Sequence, residues 1–106
     1  MRSQPRHGWR LPLAALFALS LIPQLVAADD TPGDALAPAC FSCHGPDGRS
    51  TGAIPALAGR SETELSDMLE GFADGSRAGT IMPRLVSGYT PEELAQLAAY
   101  FAKVTP

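Results

Sequence analysis

Apolar residues fall into three stretches of different texture along the 106-residue chain. Across residues 11–22 they run almost without interruption. Further on, Leu65, Met68, Leu69 and Phe72 recur at the three-and-four spacing of one helix face. Leu94, Leu97, Phe101 and Val104 repeat that spacing, with Tyr100 beside them. Both periodic stretches open with residues that start helices. Ser61-Glu62-Thr63-Glu64 and Thr90-Pro91-Glu92-Glu93 each set a hydroxyl three places ahead of a glutamate, the capping-box pattern. Pro91 takes the first helical position, where its missing N–H leaves nothing unpaired. Gly75 and Gly79 mark the end of the earlier helix.

A further helix is expected over residues 34–44, with Leu36, Ala37, Ala39 and Phe41 as its apolar positions. Pro38 either kinks that helix or begins a shorter one. Residues 45–59 and 76–89 are punctuated by Gly and Pro and read as long loops. No apolar–polar alternation of period two appears. The pattern predicts an all-α domain of three to four helices with long loops, and loops that long in a compact domain usually carry function.

The uninterrupted stretch has its own context. Arg2, Arg6 and Arg10 precede it, and the small residues Val26-Ala27-Ala28 follow. A basic start, an apolar middle and a small-residue exit predict a secretory signal peptide, residues 1–28, cleaved after Ala28. An uncleaved membrane anchor is the rival. Against it, Pro12, Pro23 and Gln24 break the run, and a spanning helix needs roughly 20 apolar residues. Residues 29–106 then form one domain, destined for the periplasm. It holds all 11 acidic residues but only Arg49, Arg60, Arg77, Arg84 and Lys103, a formal net charge of −6. Such a domain binds neither nucleic acid nor an anionic membrane surface, and favours a partner with a basic docking face. Five aromatics in so short a domain make a thin core, so a bound group is expected to complete it.

Cys40-Phe41-Ser42-Cys43-His44 identifies that group. Cys-x-x-Cys-His is the attachment pattern of c-type haem. Residues three and four apart share a helix face, so Cys40 and Cys43 can add their sulfurs to the two vinyl groups of one porphyrin. His44 directly after them brings an imidazole to the iron. Other uses of the cysteines fit less well. A thioredoxin-like site follows a strand, a structural zinc needs four ligands, and a plain disulfide leaves His44 without a role. For the opposite face of the iron, residues 29–106 offer Met68 and Met82 and no second histidine. Met68 lies on a helical apolar stripe, where methionine fills core space. Met82 lies in a loop beside Pro83, and is taken as the sixth ligand in a His/Met pair. The Pro55 carbonyl is a candidate acceptor for the other N–H of His44, and Arg60 or Arg84 for the haem propionates. Tyr89 and Tyr100 are read as packing residues.

These residues resemble the small class I cytochromes c of bacteria over nearly all of positions 34–104. Glu70-Gly71-Phe72, Gly75, Thr80-Ile81-Met82, Arg84, Gly88-Tyr89-Thr90 and Ala99-Tyr100-Phe101 are similar to the cytochrome subunit of flavocytochrome c sulfide dehydrogenase. The resemblance implies one covalent haem c, with thioethers at Cys40 and Cys43 and axial ligands His44 and Met82. It also implies a flavoprotein partner that oxidises sulfide and passes electrons to this chain. Pro83, where that family commonly has glycine, and Pro38 depart from its pattern. Two further functions compete. One is a freely diffusing carrier between respiratory or photosynthetic complexes; the other is a gas-binding or peroxidatic haem protein with an open iron position. No nucleophile or acid–base pair is evident, so the chain is expected to carry electrons and not to catalyse by itself.

Overall fold

The computed structural model describes residues 32–106, so the signal segment expected at residues 1–28 lies outside the described residues. The described chain is helical: α1 (Gly33–Leu36), α2 (Pro38–His44), a 3-10 turn at Pro46–Gly48, α3 (Glu62–Asp74), α4 (Met82–Val86) and α5 (Pro91–Lys103). No strand occurs among these residues. Ala37, Leu65, Val86, Leu94, Leu97, Ala98 and Phe101 form the core, where α3, α4 and the turn between α1 and α2 meet α5. Full burial of each large side chain in that set contributes roughly 1.5–3 kcal/mol.

Thr90 starts α5 with a complete capping box. Its hydroxyl accepts from the Glu93 N–H at 3.2 Å, and the Glu93 carboxylate accepts from the Thr90 N–H at 2.9 Å. Ser61 starts α3 with half of one. The Ser61 hydroxyl accepts from the Glu64 N–H at 3.2 Å, but the Glu64 carboxylate turns to Arg60 at 2.6 Å instead of returning to the cap. A guanidinium partner is a stronger attraction for a carboxylate than a neutral amide. α3 ends at Gly75, which takes the left-handed conformation at φ 81°.

Two expectations need correction. Three to four helices become five α segments. Pro38 divides the first helix by taking the opening position of α2, while the Ala37 N–H still bonds to the Gly33 carbonyl at 2.8 Å. Residues 76–89 are not loop throughout, because residues 82–86 coil into α4. Pro83 sits in its first turn, where its φ suits a helix and it has no N–H to waste. Five residues are too few to show a 3.6-residue period, and Val86 alone is buried.

Close approach governs the contact of α1 with α5. A Cβ on Gly33 would collide with the Gln96 carbonyl and lie 2.9 Å from Tyr100 Cβ. Gly33→Ala should therefore push α1 away from α5 and cost about 1–3 kcal/mol, the usual penalty of overpacking. Chemical denaturation of the holoprotein measures it, and an unchanged midpoint would contradict this account of the packing.

Candidate functional site

α2 carries the attachment motif, and its packing decides which way the motif faces. Phe41 meets Phe101 of α5 edge-on, with ring centroids 6.3 Å apart and planes at 78°. That contact sets the rotation of α2 about its own axis. Cys40, Cys43 and His44 consequently border one cavity. Cys40 is half-buried and Cys43 is exposed, and the two are not joined to each other. Burial, and then the neighbouring Cys43, pushes the Cys40 thiol above its ordinary pKa. His44 ends the helix, and Gly45 follows at φ 79° to turn the chain away.

Among the described residues His44 is the one polar side chain that is buried, at 8 % exposure. Its Nδ1–H donates to the Pro55 carbonyl at 2.6 Å. A carbonyl can only accept, so this bond puts the proton on Nδ1 and leaves Nε2 with the ring's lone pair. The acceptor expected from the sequence is the one found. Pro55 is itself held from the next peptide, because Arg60 Nε donates to the Ala56 carbonyl at 2.9 Å. Arg60 Nη1 meanwhile pairs with Glu64 of α3, so loop and helix share one guanidinium.

The cavity has a volume of about 580 Å³, within the size range of small-molecule sites. Its wall draws on α2, α3, α4, α5 and the Pro55 loop. Leu65, Leu69 and Phe72 come from α3, and Leu94, Leu97 and Phe101 from α5. Ile54, Ile81 and Leu85 border it while remaining exposed. Among the described residues, the charged ones in the wall are Arg60 and Arg77, and no carboxylate lines it. The carboxylates of the described residues therefore lie elsewhere.

Met82 opens α4 and is half-buried in the wall. Met68 of α3 borders the same cavity, so the fold brings both methionines to the site rather than one. Arg60 is in the wall, whereas Arg84 is exposed and outside it. Arg77 is the residue that sequence reasoning missed. The left-handed turn at Gly75 folds the chain back, the Arg77 N–H bonds to the Gly71 carbonyl at 2.8 Å, and its guanidinium stands 5.3 Å from the Phe72 ring centroid. A glycine cap two places before a cation was the available signal. Tyr89 lines the cavity; Tyr100 does not, and instead stacks edge-on with Phe101 at 5.1 Å.

These residues fit a covalently held haem. Two thiols, an imidazole with a fixed tautomer and two thioethers converge on one apolar cavity. Among the described residues, no cluster of three or more His, Cys, Asp or Glu side chains offers a competing metal site.

Comparison with known proteins agrees with the geometry. The cytochrome c family model matches residues 31–105. The cytochrome subunit of sulfide dehydrogenase from Chlorobaculum tepidum is 36% identical over 83 residues, 78% of this chain and 76% of that one. Cytochrome c-553 of Nitratidesulfovibrio vulgaris is 39% identical over 84 residues, covering 74% of this chain and 79% of its own. Cytochrome c4 of Pseudomonas aeruginosa is 39% identical over 77 residues, 72% of this chain but only 38% of that longer protein. Among solved structures, Acidithiobacillus ferrooxidans cytochrome c4 superposes with a TM-score of 0.64 at 31% identity, over 68% of this chain and 47% of that one. The chain belongs to the cytochrome c family: a mono-haem electron carrier that holds haem c covalently.

Proposed function

We propose that this protein works in the periplasm as the haem subunit of a sulfide-oxidising flavoprotein. In this reading Cys40 and Cys43 form the thioethers, and His44 and Met82 are the axial ligands. The haem supplies one-electron redox chemistry at its iron when bound. The chain's own residues fix the ligands, exclude water and leave a route to the surface.

The observation that carries the site assignment is the 2.6 Å bond from His44 to Pro55. It holds the imidazole by a proton on Nδ1 beside an apolar cavity, so Nε2 is the nitrogen left for a metal. Met82 is preferred to Met68 on position. Met68 belongs to the apolar stripe of α3 with Leu65, Leu69 and Phe72, whereas Met82 begins a short helix and is backed by Pro83. A thioether is a soft, neutral ligand that favours ferrous iron, which suits an acceptor of electrons. Met82→Ala should abolish the red methionine-to-ferric charge-transfer band, and Met68→Ala should leave it. The reverse result would reassign the ligand.

The partner rests on the sulfide dehydrogenase relative and on the likeness in residues 70–101. Purification under mild conditions should bring down a yellow flavin-containing protein in a fixed ratio with this chain. A monomer that never binds such a protein would favour the second reading, a freely diffusing carrier. The match to cytochrome c-553 at 39% identity supports that alternative. Export follows from the Arg2–Arg6–Arg10 start and the 11–22 apolar run. Mass spectrometry of the haem protein from cells should find a chain that starts at Asp29; one retaining residues 1–28 would point to the anchor instead.

A further inference from the structure

The loop that carries Pro55 is closed at its neck and held from outside by residues 104–106. Inside the neck, the Gly48 carbonyl accepts from the N–H groups of Leu57 at 2.8 Å and Ala58 at 3.2 Å. Outside it, residues 104–106 touch both limbs. On the first limb, Arg49 Nε donates to the Thr105 carbonyl at 2.7 Å while Arg49 Nη1 donates to Asp47 at 2.8 Å. On the second limb, the Gly59 N–H donates to the Val104 carbonyl at 3.1 Å. The Pro106 ring lies so close to Gly59 that a side chain there would strike it. The planar guanidinium fork lets one residue grip a backbone carbonyl and a carboxylate at once.

Neither Arg49 nor any of residues 104–106 borders the cavity. Their reach to it is through the backbone of the loop, because Pro55 lies between the two limbs and its carbonyl is the acceptor for His44. We propose that Arg49 is a positioning residue for the axial imidazole. Together with the 104–106 segment it clasps the neck, keeps the Pro55 carbonyl on His44, and so lowers the reduction potential. The inference rests on the reading of His44 as an iron ligand.

The sign of the effect separates it from simple electrostatics. A carbonyl on Nδ1–H makes the imidazole a stronger donor and stabilises ferric iron. Opening the clasp weakens that bond and raises the potential. Loss of a cation by itself acts the other way, since it disfavours the incoming electron.

The test uses the unaltered holocytochrome, the charge control Lys103→Ala, and two altered forms, Arg49→Ala and a chain ended after Val104. The last removes the Thr105 carbonyl without removing a side-chain charge. Redox titration and proton NMR of the His44 Nδ1–H are the readouts. Both altered forms should show a raised potential and exchange of that proton about five- to tenfold faster, the scale of one lost surface hydrogen bond. Lys103→Ala, an equal loss of charge at the end of α5, should not raise the potential. A lowered or unchanged potential with unchanged exchange in both altered forms overturns the clasp. Absence of paramagnetically shifted His44 signals in the unaltered protein overturns the ligand reading and the clasp with it, whereas their presence confines any failure to the clasp.

Discussion

Four parts of the molecule meet at the ring of Phe101, which is 2 % exposed. The edge contact with Phe41 sets the face that α2 presents. Tyr100 packs against the ring at 87° on the side of α1. Gly48 of the Pro55 loop approaches so closely that a Cβ would lie 2.8 Å from a ring carbon. The ring itself forms part of the cavity wall. A rigid aromatic buried at close-packed density transmits position, because no neighbour can move without moving it. The orientation of the attachment motif and the seat of the loop that serves it are thus set by one side chain.

Onto that frame the fold adds, among the described residues, a single buried polar side chain and satisfies it. An imidazole in an apolar cavity would be costly with both nitrogens unpaired. The Pro55 carbonyl removes half of that cost and fixes the tautomer. The remaining lone pair is what a metal can use. Stability and ligand chemistry are served by the same bond, which is why the loop around Pro55 is anchored on two sides. Arg60 ties it to α3, and Arg49 ties its neck to Thr105, beyond the end of α5.

Local features were readable from the sequence and distant ones were not. The Cys40-to-His44 motif, the caps at Ser61 and Thr90 and the stop at Gly75 each depend on residues within a few places of one another. The Pro55 acceptor was also legible, because a ligating histidine requires a partner and that loop follows directly. The half-formed box at Ser61 escaped because Glu64 has a rival cation at Arg60, one place before the cap. α4 escaped because five residues carry no period. Arg49 and Thr105 are 56 places apart, and no local pattern announces such a contact. Arg84 and Arg77 were equivalent as letters; only the fold-back after Gly75 puts Arg77 in the wall and leaves Arg84 outside.

α5 has two working faces on opposite sides of its axis. Leu94, Leu97, Ala98 and Phe101 border the cavity, while Gln96, Ala99, Tyr100 and Lys103 receive Pro32, Gly33 and Asp34. At 100° per residue the two sets lie about half a turn apart. The polypeptide therefore joins the domain from behind, with α5 standing between its point of entry and the cavity. The cavity and the point where the described chain enters at Pro32 thus lie on opposite sides of α5, so a contact made at one face leaves the other undisturbed.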